Sequence, residues 1–209
     1  MTDTKLRTPG VVYRKKAAKA AQAAKARSAK GAVLTTGQAG IVVTDRHRHG
    51  KQISAYVLYT KSKGVDEFVS SVHLADPMRL IETERRGVAS VFVKDLSKRM
   101  GLPAQRMFDI VGVPKATLER KVAEGGLLSG SGGRAALGIA KLLGMANEIV
   151  RDSTATEAQG FDTAKWLGQW LETPQPALGG RKPAELVETP TGLEVVTRLL
   201  GAIRSGAYQ

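Results

Sequence analysis

AQRMFDIVGVPKATLERKVAEG, residues 104–125, predicts a helix of about eight residues, a joint of four residues around Gly112, and a second helix opening at Pro114 or Lys115. This is the helix-turn-helix layout. The glycine permits the tight bend, and Met107, Ile110, Val113, Leu118 and Val122 supply the small core that fixes the angle between the two helices. Lys115, Thr117, Arg120 and Lys121 then fall on or near the exposed side of the second helix. Arg and Lys there can bond guanine edges or phosphates, and Thr can reach a phosphate or a thymine methyl. Residues 94–141 hold nine basic and four acidic residues, a local +5 that suits DNA. Spacing alone is weaker support, because two-helix joints of this kind recur throughout all-helical domains.

Outward from this motif the period stays helical. PMRLIETERR begins at Pro77 and stops at Gly87, and SVFVKDLSKRM offers Val91, Leu96 and Met100 to one face before Gly101. On the other side GGRAALGIAKLLGMANEIV carries apolar residues three and four apart, and FDTAKWLGQWLET is amphipathic. PQPALGGRKP reads as a rigid turn, and the remainder gives one brief helix and one longer one. In front, GIVVT from Gly40 and ISAYVLYT up to Thr60 are two β-prone runs separated by the polar DRHRHGKQ, which is hairpin-like spacing with a long loop. Arg14–Lys30, RKKAAKAAQAAKARSAK, favours helix but has no face worth burying. It is either a solubilising tail or an arm that firms up on a polyanion.

The 209 residues include 32 Lys or Arg, 19 Asp or Glu and no Cys, a formal charge of +13. Without Cys there are no disulfides, thiolate metal sites or thiol nucleophile, which fits a reducing compartment such as the cytoplasm. No apolar stretch is long enough to span a membrane, and no apolar run follows the basic start as a secretory signal requires. The charge is unevenly spread. Residues 1–30 hold nine basic and one acidic, 31–149 hold seventeen and eleven, and 150–209 hold six and seven. A cationic front suited to phosphates is thus followed by a near-neutral end with another task.

Other constellations carry less. LLSGSGGR, residues 127–134, lacks the Lys-Ser or Lys-Thr ending of a phosphate loop and sits between helices, so a flexible connection explains its glycines more simply. His47 and His49 alternate in a basic turn, but Arg46, Arg48 and Lys51 repel a cation, and no metal or other cofactor is expected. No nucleophile and base are paired, so an enzyme is not expected. Trp166 and Trp170, four apart on one helix, fit a small core or a protein-binding face, and the two are compatible.

Trp170-Leu171, the turn Pro174–Gly180, Pro183–Leu186, the link Thr189–Gly192 and the ending Leu200–Gly206 together resemble the toxin-binding domain of the Xre/MbcA/ParS antitoxins. Residues 76–150, with Thr-Leu-x-Arg at Thr117–Arg120, resemble that family's Xre-like helix-turn-helix domain. The resemblance implies a mainly α chain. It covers the helix-turn-helix domain (76–150) and a small helical toxin-binding domain (151–209), whereas the basic arm (1–39) and the extension with the hairpin-like spacing (40–75) depart from the family pattern and their role stays open. It implies a cytoplasmic homodimer that neutralises a toxin, in many members a RES-domain enzyme consuming NAD, and that represses the shared promoter by binding operator DNA. Toxin contacts would fall on Leu178, Gly179, Gly180, Arg181 and Lys182, and on Leu199, Ile203, Arg204 and Tyr208. DNA contacts would fall on Lys115, Thr117, Arg120 and Lys121. A stand-alone DNA-binding regulator without a toxin partner would show the same basic front.

Overall fold

The computed structural model describes residues 32–37, 40–45, 55–153 and 160–204. It divides into two compact units, Met1–Ala55 and Tyr56–Gln209. In the first, β1 (Ala32–Gly37) pairs antiparallel with β2 (Gly40–Asp45), from Ala32 opposite Asp45 to Gly37 opposite Gly40. The sequence predicts the strand at GIVVT but joins it to the wrong partner: AVLTTG in front pairs with it, not ISAYVLYT behind. Only two residues separate the strands in this pairing, against eight polar ones in the other, and the shorter loop closes at lower entropic cost. The rejected partner is committed elsewhere. Val57 and Tyr59 are buried in the second unit, where the Val57 amide donates to Thr83 Oγ1 at 2.9 Å. The basic Arg14–Lys30 stretch and His47 and His49 lie outside the described residues.

Eight helices form the second unit among the described residues. The first, α1 (Gly64–His73), falls in the stretch expected as an extension, where no helix is predicted. Its buried residues Val65, Phe68, Val69 and Val72 stand three and four apart, a helical stripe hidden by residues of high β propensity. Tyr59 closes over it. Its ring centroid lies 5.5 Å from Phe68 and 5.0 Å from Phe92, and its hydroxyl donates to Asp95 Oδ2 at 2.7 Å. Burial first, then the adjacent Asp95 carboxylate, raises the phenol pKa well above the usual range.

Helix α2 (Pro77–Arg86) starts and stops where its punctuation says. Asp76 caps it by accepting from the Arg79 amide at 3.0 Å, and Gly87 ends it at φ 94°. Then come α3 (Ser90–Arg99), α4 (Ala104–Ile110), α5 (Lys115–Ala123) and the 23-residue α6 (Gly130–Asp152). A two-residue ladder that the sequence does not betray, β3 (Val88–Ala89) with β4 (Leu127–Leu128), ties the start of α3 to the end of α5. After residue 160 the chain forms α7 (Thr163–Glu172), 3-10 turns at Pro176–Leu178 and Pro183–Glu185, and α8 (Pro190–Arg204).

The spine is α6, which packs on α1, α2, α7 and α8. Its Leu137, Ile139, Leu142 and Leu143 are fully buried, each worth roughly 1.5–3 kcal/mol. Its first turn corrects the expectation of a flexible glycine connection. Gly132 and Gly133 are buried inside the helix, and a Cβ on them would lie 2.2 Å from Val113 Cγ2 and 2.3 Å from the Leu128 carbonyl oxygen. They are small because neighbours press on them. Farther along, Gly138 receives Leu193 of α8, and Gly168 of α7 sits where a Cβ would come within 2.3 Å of the Met100 carbonyl oxygen. Every buried side-chain nitrogen and oxygen among the described residues has a hydrogen-bond partner. None of the described helices is long and apolar enough to cross a membrane.

Candidate functional site

The helix-turn-helix is assembled by the residues whose spacing predicts it. Met107, Ile110 and Leu118 are buried, and Val113 and Val122 pack on the same core. Gly112 adopts φ 66° in the turn, a conformation costly for other residues, and the Glu188 side chain lies over it where a Cβ would stand.

On α5 the four expected DNA contacts differ in freedom. Lys115 and Arg120 are exposed, and each faces an acid one turn on: Lys115 Nζ lies 4.0 Å from Glu119 Oε1, and Arg120 Nη1 lies 3.1 Å from Glu124 Oε1. Thr117 is half-buried beside them. Lys121 is also half-buried, and its ammonium donates to the Leu127 carbonyl at 3.0 Å, which staples the end of α5 to β4. Exposed pairs of the i,i+4 kind are worth only about 0.3–0.5 kcal/mol, so Lys115 and Arg120 can exchange their glutamates for a phosphate or a base.

Beside this helix lies a cleft of about 400 Å³, bounded by α3, α4 and the first turn of α5. Leu102 and Phe108 give it an apolar lining, and Lys94, Lys98 and Lys115 surround it. Among the described residues no acid pairs with the Lys94 or Lys98 ammonium. Neither lysine is singled out by the sequence, although their spacing of four on the polar side of α3 was the available signal.

The C-terminal part is built differently. Trp166 and Trp170 stack with centroids 6.1 Å apart, and only Trp170 is buried. Trp166 meets solvent beside Phe161, itself 42% exposed, so the pair serves the core on one side and edges the surface on the other. The turn that follows is drawn tight. Gln175, itself buried, donates its backbone N–H to the Arg181 carbonyl, and its backbone carbonyl accepts from the Gly180 N–H, both at 3.0 Å. Gly179 and Gly180, exposed, take φ 65° and 80°. Leu178 is half-buried against the core, and Arg181 is exposed near Glu185 at 3.6 Å. On α8, Leu199 is 8% exposed and faces the core, Ile203 is half-buried, and Arg204 ends the helix. Tyr208 lies outside the described residues.

Two ion clusters join these parts. Arg99 of α3 reaches Asp162 at 2.7 Å and Asp66 of α1 at 3.1 Å. The Arg99 hydrogen bond, then the Lys165 backbone amide, holds the Asp162 pKa down at about 2, and the same bond raises that of Arg99. Glu172 of α7 accepts from Arg106 of α4 at 2.7 Å and from Lys182 of the turn at 3.2 Å. Partial burial pushes its pKa up, but the two cations outweigh that and leave it below the usual range. Among the described residues no three His, Asp or Glu side chains gather as metal ligands, and His73 pairs with Glu148 at 3.3 Å.

Comparison with known proteins agrees with this geometry. Residues 79–141 match the antitoxin Xre-like helix-turn-helix domain, and residues 158–206 match the antitoxin Xre/MbcA/ParS C-terminal toxin-binding domain. A protein of Sphingobium sp. (strain YBL2) named Prs ADP-ribosylating antitoxin is 36% identical over 149 residues, covering 71% of this chain and 92% of its own length.

Proposed function

The chain belongs to the Xre/MbcA/ParS family of antitoxins, with an Xre-like helix-turn-helix domain and a toxin-binding domain, and from that premise we propose a division of labour along it. The C-terminal part neutralises a cognate toxin, and the helix-turn-helix binds operator DNA to repress the operon, in the cytoplasm. The observation that carries this reading is the placement of two exposed surfaces on one folded unit. One is α5 with Lys115 and Arg120, the other the Gly179–Gly180 turn with Arg181 beside it.

The toxin is a RES-domain enzyme that consumes NAD. The name of the Sphingobium relative refers to ADP-ribosylation, whose donor is NAD, and supports that class. Toxin contacts fall on Leu178–Lys182, on Ile203 and Arg204 along the end of α8, and on Tyr208. Leu199 supports α8 from the core side.

A homodimer presents two recognition helices to two half-sites. Leu74 at the end of α1 and Met78 and Ile81 on α2 are 81%, 66% and 38% exposed, an apolar strip that suits contact with a second copy.

The decisive experiment is co-expression and copurification with the product of the adjacent gene, followed by measurement of cellular NAD. NAD is expected to fall when the toxin is expressed alone and to recover with this chain present. Deletion of residues 205–209 spares the buried Leu199 and Leu200 and should relieve neutralisation while operator binding persists. Equal loss of both would overturn the division of labour. Arg120→Ala should weaken operator binding by about 1–3 kcal/mol through a lost base contact, and an unchanged affinity would move the recognition surface off α5.

A further inference from the structure

We infer that the cleft between α3 and the start of α5 is a clamp for a DNA backbone phosphate, held by Lys94, Lys98 and Lys115. The inference rests on the reading of α4–α5 as the DNA-binding motif and adds to it a contact surface on a different helix. Four observations support it.

First, the recognition helix is nearly self-neutralised. Lys115 and Arg120 face Glu119 and Glu124, and Lys121 is tied to the Leu127 carbonyl, so residues 115–124 carry a net charge of only +1 toward a polyanion. Second, Lys94 and Lys98 have no acid partner among the described residues. Like charges four apart on a helix repel by a few tenths of a kcal/mol, and an anion seated between them removes that penalty. Third, Leu102, Ala104 and Phe108 place apolar atoms along the cleft, and low-polarity walls strengthen a charge interaction made beside them. At about 400 Å³ the cleft admits a phosphate and part of its sugar. Fourth, when the second helix of such a motif enters the major groove, the first lies across the backbone, which brings a phosphate strand over α4 and the cleft that α4 borders.

Lys115 is the hinge of the arrangement. It stands on both the cleft and α5, and its 4.0 Å separation from Glu119 leaves it free to turn toward a phosphate. Glu119 at the rim supplies the opposite preference and disfavours a second anion beyond the first.

The test uses the full chain, a duplex from its own promoter and a scrambled duplex, with affinity measured by fluorescence anisotropy across a salt series. In the Lys94→Ala/Lys98→Ala variant the slope of log affinity against log salt should become shallower by about 0.9, the loss of the one clamped phosphate, equally on both duplexes. Lys94→Arg/Lys98→Arg should restore the slope, which separates lost charge from lost structure. Arg120→Ala serves as the control and should weaken binding to the promoter duplex more than to the scrambled one. An unchanged slope in the double alanine variant, with Arg120→Ala still weakening promoter binding, overturns the clamp and leaves the helix-turn-helix reading standing. If neither variant alters binding, that reading fails and the clamp falls with it. If the double variant lowers toxin binding instead, the cleft seats an acidic protein segment and the phosphate assignment is wrong.

Discussion

Helix α5 and the turn from Gln175 to Lys182 both carry cations, yet apart from the local Arg181–Glu185 pair the turn balances its charge in the opposite way. On α5 the acids are local: Glu119 on the helix and Glu124 at its cap each sit one turn from the base they face. In the turn, Lys182 is matched by Glu172 of α7, and that carboxylate is shared with Arg106 of α4. A pair within one helix can open without moving anything else. A pair that spans three elements is part of how the fold is held. The helix is therefore equipped to trade partners when a ligand arrives, whereas the turn is equipped to hold its shape and let the ligand conform to it.

The difference can be attacked at the joint between the two regions. Gly168→Ala should have the largest effect, because its Cβ would meet the Met100 carbonyl oxygen at 2.3 Å and push α7 away from α3. A loss of about 1–3 kcal/mol is expected in urea or thermal unfolding, with toxin and DNA binding falling together. Wild-type stability would mean that α7 is not seated as described.

Next comes Glu172→Gln, which leaves Arg106 and Lys182 without their carboxylate. The site is partly exposed, so about 1 kcal/mol is the expected cost. Toxin affinity should drop more than operator affinity, and the reverse order would erase the contrast drawn above.

A smaller effect lies in acid. The carboxyl of Asp162, held down at about 2, contributes stability that is fully present above the ordinary carboxylate pKa of about 4 and is lost as pH falls through about 2. The melting temperature should decline over that interval, and Asp162→Asn should lose the part of the decline that this group causes. An identical pH profile in the variant would remove Asp162 from the joint.

The smallest change in stability is expected for Glu119→Gln with Glu124→Gln, within about 0.5 kcal/mol, because both pairs are exposed and local. Its consequence for DNA has the opposite sign. Freed of their glutamates, Lys115 and Arg120 should bind any duplex more tightly, and weaker binding would show that the acids help to position the bases.

Much of the helical order is legible in the sequence because punctuation and period agree. Asp76-Pro77 and Gly87 frame α2, and Met107, Ile110 and Leu118 mark the helix-turn-helix core. What escapes is set by tertiary contact. Helix α1 is written in valines, and its burial against α6 and α3 favours a helix over a strand. Gly132 and Gly133 resemble a loose linker until Val113 and the Leu128 carbonyl are seen pressing on them. At the candidate sites, the exposed cations of α5 follow from helical spacing, but the engagement of Lys121 with β4 does not, because the two-residue ladder that supplies its acceptor has no local signature. Nor does the sharing of Glu172 by Arg106 and Lys182, which lie 76 residues apart in the chain.

The notches along α6 have a consequence for recombination. One helix receives Val113 of the DNA-reading motif at Gly132 and Leu193 of the last helix at Gly138. The two modules named by the family thus share an interior wall, and cutting the chain between residues 153 and 160 does not separate them. A chimera that grafts another antitoxin's last fifty or so residues onto this reading head must also bring a side chain at position 193 that fits the space above Gly138, or the graft will fail by collision before its specificity is ever expressed.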